Sequence, residues 1–197
     1  ILTGPTFADE IANKQPAAAI VANKNVNSAQ SLCELFHNSN LRLYPNDDPL
    51  GASIAGAVKN IIAIGAGIIV GLELGDNAKA ALITRGLSET SELIKNAGGK
   101  FSTVFGLAGI GDMSLTCSGP HSRNMAYGIN IVKDNKNRNK QGLVEGLNAL
   151  DSTIFLAEKL NVEMPIVNAI NDILRKEANI NEVIKKLLSR PITNEFL

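Results

Sequence analysis

Apolar and polar residues alternate or cluster over short stretches in residues 1–46 of the chain. AAAIVAN (17–23) is a short apolar run and LRLYP (41–45) alternates, and both patterns predict β-strands. SAQSLCELFHNS (28–39) has apolar residues on one helical face and predicts a helix between those strands. LTGPTFADEIA (2–12) is typical of a strand end, a Gly-Pro turn and a helix start. This part of the chain is therefore expected to be α/β.

From Pro49 onward, apolar residues recur with the spacing of amphipathic helices. Asp48 followed by Pro49 is a typical helix start. A second helix is predicted from a cap at Asp76 or Asn77 to a stop at Gly98 and Gly99. Further helical patterns cover 122–133, 143–160, 165–177 and 181–188.

Two stretches between these helices have the composition of loops. GLAGIGDMSLTCSGP (106–120) predicts a glycine-rich loop, and DNKNRNK (134–140) predicts a polar loop or linker. The chain is thus expected to be mainly α, with the end of an α/β unit over 1–48 and an all-helical domain over 49–197.

Composition narrows the classes of function. The chain is 45% hydrophobic and 19% charged with a net charge of zero, and it has few aromatic residues and no tryptophan. A nucleic-acid partner is not expected, because basic excess and stacking platforms are both missing. The two cysteines, Cys33 and Cys117, form no metal-binding motif, so we expect no metal and reduced thiols in a cytoplasmic protein. The chain begins with isoleucine and lacks a signal-peptide pattern, which suggests a fragment or a processed piece.

The stretch AGAVKNIIAIGAGIIVG (55–71) resembles a nucleotide-binding glycine loop at first sight. A dinucleotide fingerprint would need its third glycine at Val70, but the glycine is Gly71, and the Gly-Lys-Ser/Thr of a P-loop is missing. A buried helix is the better interpretation. The uninterrupted apolar run from Ile61 to Leu72 is too short for a bilayer, which needs about 20 residues, so no membrane span is expected.

Lys59 is the one charged residue in this helix. Its own face carries mostly small residues, at Ala52, Ala55, Gly56, Ile62, Ala63 and Ala66. The opposite face carries the core residues Ile54, Val58, Ile61, Ile64 and Ile68. Two interpretations remain open: the lysine stem packs while its ammonium reaches water, or the amine works in a cleft.

GPHSRN (119–124) is the second informative stretch. Ser122 is a good N-cap, which puts Arg123 and Asn124 in the first turn of a helix. The helix dipole disfavours a cation there, by roughly 0.3–1 kcal/mol, unless an anion is bound. The stretch therefore predicts either a phosphate receptor or a plain cap with a solvated arginine.

Three nearby residues have less specific signals. Asp112 follows the glycine-rich stretch and could cap a helix, hold substrate hydroxyls or orient Lys59. His121 is expected to be a solvated loop residue. Cys117 is expected to be structural, because no partner base is evident.

Four long stretches follow one another in the order found in bacterial NAD(P)-dependent glycerol-3-phosphate dehydrogenases: 2–12, 56–89, FGLAGIGDMSLTCSGPHSRN (105–124) and LVEG (143–146). The resemblance covers essentially the whole chain. It implies that 1–48 is the end of a Rossmann domain. It implies that 49–197 is a helical substrate domain like the C-terminal domain of 6-phosphogluconate dehydrogenase.

The resemblance also implies an activity. The expected reaction interconverts dihydroxyacetone phosphate and sn-glycerol 3-phosphate with NAD or NADP as cofactor, for phospholipid synthesis in the cytoplasm. A homodimer is expected. The chain is expected to be inactive without an amino-terminal dinucleotide-binding portion, which would hold most of the cofactor and a second substrate lysine.

Carried over position by position, the family's motifs assign roles to individual residues. The catalytic acid is Lys59. The substrate residues are Asp112, Ser122, Arg123, Asn124, Gly4 and Thr6, where Thr6 replaces the family's serine. The cofactor residues are Ala8, Arg123, Leu143 and Glu145. Two alternatives stay open: the substrate domain of another hydroxy-acid or nucleotide-sugar dehydrogenase, and a helical module that serves dimerisation only.

Overall fold

The computed structural model describes residues 1–119, 121–133 and 144–192. In chain order the elements of the first part are β1 (Leu2–Thr3), α1 (Ala8–Ala12), β2 (Ala17–Ala22), α2 (Val26–Glu34) and β3 (Leu41–Asn46). They are followed by α3 (Pro49–Gly71), α4 (Asp76–Asn96), a 3-10 helix (Phe101–Phe105), a π-helical turn (Leu107–Gly111) and α5 (Asp112–Thr116). The last described elements are α6 (Arg123–Lys133), α7 (Glu145–Leu160), α8 (Pro165–Arg175) and α9 (Ile180–Leu188).

A small sheet with the strand order β1-β2-β3 lies against the helices. β1 is antiparallel to β2, and β2 is parallel to β3. Alternate residues of β2 face opposite sides, as the pleat requires. Ala19 and Val21 pack on the α2 side, whereas Ile20 and Ala22 pack with Ala52 of α3. The sheet therefore sits directly on the first half of α3.

The helix α3 is the centre of the molecule, and α4, α6, α7 and α8 all pack against it. Its glycines belong to these contacts rather than to a loop. A Cβ atom at Gly67 would overlap the backbone of Met125, and one at Gly128 of α6 would overlap the carbonyl oxygen of Ile64. The backbones of α3 and α6 therefore touch where they cross, which requires glycine on both sides.

At 23 residues, α3 is longer than the apolar run suggested, and by length and hydropathy it could cross a membrane. However, 61% of its most apolar window is buried inside the protein. The predicted core residues, Ile54, Val58, Ile61, Ile64 and Ile68, are all among the buried ones. This packing agrees with the core helix expected from the sequence.

Asp48 fixes the start of α3, as predicted. Its carboxylate accepts hydrogen bonds from the amide of Gly51 at 2.9 Å, the amide of Lys100 at 2.8 Å and the hydroxyl of Thr103 at 2.6 Å. The cap therefore also anchors the 3-10 helix that leads to Asp112.

A second buried carboxylate caps α8 from a distance. Oε1 of Glu89 in α4 accepts the amide of Ile166 at 2.7 Å, and Oε2 accepts the amide of Val167 at 3.2 Å. Met164 precedes α8 and makes no side-chain cap bond. Burial raises the pKa of Glu89 to about 7, although the two amide donors act in the opposite direction.

The fold class is as expected, but several local predictions were wrong. The glycine-rich loop predicted over 106–120 is largely helical among its described residues, since a π-helical turn covers Leu107–Gly111 and α5 covers Asp112–Thr116. α2 begins at Val26, because the Asn25 side chain caps it, and ends at Glu34 rather than at Ser39. The N-cap of α4 is Gly75, so Asp76 is its first residue. The predicted polar loop over 134–140 lies outside the described residues.

Candidate active site

Lys59 reaches from α3 to the first residue of α5. Its Nζ atom lies 2.5 Å from Oδ2 of Asp112. The lysine side chain is 20% exposed and the aspartate side chain is 4% exposed. The pair therefore has one side in the protein interior and one side open to solvent.

The Asp112 carboxylate has further partners. The Thr116 hydroxyl donates to the backbone oxygen of Asp112 at 2.6 Å and lies 3.3 Å from Oδ1. The Thr3 hydroxyl, at the end of β1, lies 3.5 Å from Oδ2. Burial raises the pKa of Asp112, and Lys59, Thr116 and Thr3 lower it by less. Desolvation of the ionised carboxylate thus outweighs its ion pair.

The start of α6 forms the opposite wall. The Ser122 hydroxyl accepts the amide of Met125 at 3.3 Å, which confirms the predicted N-cap. The guanidinium of Arg123 makes an ion pair with Oε1 of Glu145, the first residue of α7. The first amides of a helix have no intrahelical partners and attract anions.

Asn124 joins three helices. Its Oδ1 atom accepts the amide of Gly146 in α7 at 2.9 Å, and its Nδ2 atom donates to Oδ1 of Asn60 in α3 at 3.0 Å. The same Nδ2 atom lies 3.5 Å from Oε2 of Glu145. Asn60 in turn donates to the carbonyl oxygen of Gly56 at 3.1 Å. Asn124 is buried, and these bonds fix the start of α6 relative to α3, the helix that carries Lys59.

The segment after β1 forms the rim. Gly4 has a φ of 151°, and a Cβ atom there would press against the Ala19 backbone at 2.8 Å. The Thr6 hydroxyl donates to the carbonyl oxygen of Gly4 at 3.0 Å. The rings of Phe7 and His121 lie at a tilt of 44° with their centroids 5.8 Å apart. The rim therefore touches the loop that precedes α6.

These walls enclose one open cleft of about 330 Å³. It is lined by most of the site residues expected from the sequence, namely Gly4, Thr6, Lys59, Asp112, Ser122, Arg123, Asn124 and Glu145. Ala8 is exposed at the start of α1 and does not line the cleft. Leu143 lies outside the described residues.

A family model described as the C-terminus of NAD-dependent glycerol-3-phosphate dehydrogenase matches residues 48–185. The chain belongs to this family. The family match confirms the resemblance seen in the sequence.

Individual relatives agree. The chain is 43% identical over 199 residues to glycerol-3-phosphate dehydrogenase [NAD(P)+] of Francisella tularensis subsp. tularensis (strain WY96-3418). The alignment covers 99% of this chain and 60% of the relative. A crystal structure of glycerol-3-phosphate dehydrogenase from Coxiella burnetii superimposes with a TM-score of 0.89 at 39% identity, over 96% of this chain and 59% of the other. The Saccharomyces cerevisiae enzyme shares the fold, with a TM-score of 0.83 at 24% identity. The chain thus spans about three fifths of the length of these relatives.

Sequence reasoning missed several residues of this glycerol-3-phosphate dehydrogenase-family cleft. Thr3, Asn60, Thr116 and Phe7 line it, and the first three make the hydrogen bonds that hold Asp112 and Asn124. His121 is exposed as expected, but it also lines the cleft. The one feature of the sequence that could have indicated any of these missed residues is that Asn60 directly follows Lys59.

Cys117 is structural, as expected. It is fully buried, and burial raises the pKa of its thiol to about 12. The thiolate needed for nucleophilic chemistry is therefore suppressed.

The arrangement gives this cleft two chemically different ends. One end has an ammonium group held by a buried carboxylate. The other has a hydroxyl, a guanidinium and the start of a helix, which together suit a phosphate or a carboxylate. A small polar molecule with an anionic group could contact both ends at once.

Proposed function

We propose that the chain carries the substrate-binding and catalytic part of an NAD(P)-dependent oxidoreductase that interconverts dihydroxyacetone phosphate and sn-glycerol 3-phosphate. One observation supports this above all others: the amine of Lys59 and the start of α6 line the same cleft. A three-carbon phosphate would present its carbonyl to the amine while its phosphate lies at the helix start.

The phosphate would be held by Ser122, Arg123 and Asn124. A phosphate dianion pairs well with a guanidinium and with helix-start amides. It would also relieve the unfavourable position of Arg123 in the dipole of α6. Gly4 and Thr6 would contact the same substrate from the rim.

Lys59 would supply the proton. During reduction, its ammonium donates a proton to the carbonyl oxygen of the substrate as that oxygen gains negative charge. In the reverse direction the neutral amine takes the hydroxyl proton back. Asp112 holds the amine in place through the 2.5 Å contact and would also contact substrate hydroxyls.

The nicotinamide cofactor, when bound, supplies or accepts the hydride. Gly4, Arg123 and Glu145 line the same cleft, which fits one end of such a cofactor. The sequence has no G-x-G-x-x-G turn to hold a pyrophosphate, so these residues fit only that end. Ala8, Arg123, Leu143 and Glu145 would hold the nicotinamide side.

The two rival functions differ in their ligands. Another dehydrogenase with this helical domain would accept a carboxylate or a nucleotide sugar at the α6 end. A module that serves dimerisation alone would need no amine in a cleft, and the partly buried Lys59–Asp112 pair weighs against that role.

The cellular setting follows from the same proposal. An enzyme with this reaction would supply glycerol 3-phosphate for phospholipid synthesis in the cytoplasm. We also propose a homodimer, since large apolar side chains such as Phe101, Phe105 and Phe155 are exposed on the helical part. Sedimentation velocity on the full-length gene product would test the dimer.

The activity is tested by following NADH and NADPH absorbance with dihydroxyacetone phosphate as substrate. The full-length gene product is compared with the 197-residue chain. Turnover by the full-length protein, and much slower turnover with unphosphorylated dihydroxyacetone, is expected. Turnover of a small hydroxy acid with no response to either triose would favour the rival dehydrogenases.

A further inference from the structure

Glu145 occupies the donors that the proposed function assigns to the substrate phosphate. One carboxylate oxygen, Oε1, is paired with the guanidinium of Arg123. The other, Oε2, lies 3.5 Å from the Nδ2 atom of Asn124. A carboxylate of the protein itself therefore contacts two of the three side chains that the proposed function assigns to the phosphate.

The two donors can be released without rebuilding the site. Asn124 is held independently of Glu145, by its bonds to Asn60 and to the amide of Gly146. Only its second N–H points to Glu145, so that N–H can change acceptor while Asn124 stays in place. The Arg123 side chain is 67% exposed and can turn toward a ligand.

Resting on the proposed function, we propose that Glu145 is an internal competitor of the substrate phosphate for Arg123 and Asn124. A ligand that needs these donors binds only to the fraction of molecules in which they are free, so its apparent affinity is reduced by that fraction. The carboxylate also repels a phosphate held beside it. Glu145 thus weakens phosphate binding and speeds the release of product.

The expected size of the effect follows from the exposure of the pair. The side chains are 67% and 38% exposed, so their ion pair is of the weak surface kind. Removing the competing charge should therefore tighten phosphate binding about two- to five-fold. A much larger change in the phosphate Kd would be expected only for a buried ion pair, whereas this pair is exposed to solvent.

The test uses the full-length gene product and its Glu145→Gln and Glu145→Ala variants. Isothermal titration calorimetry measures the Kd of inorganic phosphate and of sn-glycerol 3-phosphate, and kinetics measure KM and kcat. Glu158→Gln is the control, because it removes the same charge from an exposed site near the other end of α7. Circular dichroism checks that each variant is folded.

We expect both Glu145 variants to lower the Kd of both ligands by the same factor, to lower KM, and to leave the control unchanged. A third variant, Glu145→Asp, keeps the charge. Weaker phosphate binding in Glu145→Gln that is restored in Glu145→Asp would overturn the inference and assign Glu145 to orienting Arg123. An unchanged phosphate Kd with altered cofactor affinity would also overturn it. Failure of the wild type to bind either phosphate ligand would overturn the proposed function as well, so the two failures are distinguishable.

Discussion

The ammonium group of Lys59 lies 2.5 Å from the carboxylate of Asp112, and 53 positions separate the two residues in the chain. Lys59 lies in the central helix α3, and Asp112 is the first residue of the short helix α5. Asp48 caps the central helix and binds Lys100 and Thr103 just before the segment that carries Asp112. The contact therefore depends on tertiary packing at both ends.

Replacing the amine should remove the reaction but leave the fold. We expect Lys59→Met to lower kcat of the full-length protein by about 10²–10⁴, the usual contribution of a positioned acid. The stem is partly buried and methionine fills similar space, so the protein should stay folded. Steady-state kinetics with dihydroxyacetone phosphate and circular dichroism measure the two effects.

Lys79→Met is the matched control for that variant. The Lys79 side chain is 25% exposed, close to that of Lys59, and it is paired with the exposed Asp76 at 2.9 Å. The control variant therefore loses a lysine of similar exposure and an ion pair away from the cleft. Its kcat should equal that of the wild type. Equal activity of the Lys59 and Lys79 variants would refute the catalytic assignment.

Asp112→Asn should separate activity from stability. The raised pKa of Asp112 means that its ionised form costs more in the folded chain than in water. An amide can accept from Lys59 through Oδ1 and donate to the Thr116 hydroxyl through Nδ2. We expect the free energy of unfolding to be unchanged or higher by about 1 kcal/mol, while Lys59 can still reach solvent.

Activity of the same variant should fall by about 10²-fold, because the amine loses its charged holder and shifts in the cleft. Thermal denaturation and steady-state kinetics on one preparation measure both quantities. A marked drop in melting temperature would mean that the carboxylate is needed for folding, contrary to this expectation.

The contact between α3 and α6 should not tolerate even one methyl group. We expect Gly67→Ala to lower the free energy of unfolding by about 1–3 kcal/mol or more, because its Cβ would overlap the Met125 backbone. Gly56→Ala lies in the same helix, and its Cβ would meet only the Thr3 hydroxyl, at 3.7 Å. That control should be neutral or stabilising by up to about 1 kcal/mol. Urea denaturation of both variants decides the matter.

Glu89 should give stability a dependence on pH. Its folded pKa is raised to about 7, above its ordinary value of 4.5, so the folded chain holds a proton that the unfolded chain loses. The associated stability is fully present below pH 4.5 and is lost as the pH rises through about 7, a change on the order of 3 kcal/mol. Urea denaturation between pH 5 and pH 8 measures this slope.

A neutral residue at position 89 should remove this dependence of the free energy of unfolding on pH. Glu89→Gln cannot ionise, although it loses one of the two bonds to the start of α8. It should be less stable than the wild type at low pH and nearly independent of pH. Glu92→Gln, one turn away and partly exposed, should keep the wild-type slope. A wild-type slope in the Glu89 variant would show that another group is responsible.

Local sequence signals were enough for the parts of the site that depend on one helix at a time. The Asp48 cap, the buried face of α3 and the Ser122 cap are set by neighbours within a few positions. The bond between Asn60 and Asn124 spans 64 positions, and the contact between Thr3 and Asp112 spans 109. Such pairs follow from how helices and sheet pack, which no local pattern encodes.

The glycine-rich stretch before Asp112 misled for a related reason. The glycines there predict a loop. A Cβ atom at Gly109 would overlap the backbone of Val104, so this glycine serves close packing of the π-helical turn on the 3-10 helix. Asp112 is therefore delivered by a packed turn, which suits a residue that must hold Lys59 in one position.

Because α3 is surrounded by other elements, its amide hydrogens should exchange with solvent only when the whole chain unfolds. Arg123 and His121 lie at the exposed edge, where small openings suffice. On warming, the proposed phosphate contacts at the start of α6 should therefore be lost well before the amine of Lys59 is displaced. We therefore expect the affinity for the proposed phosphate ligand to fall first on warming. The position of the Lys59 amine should be lost only at global melting.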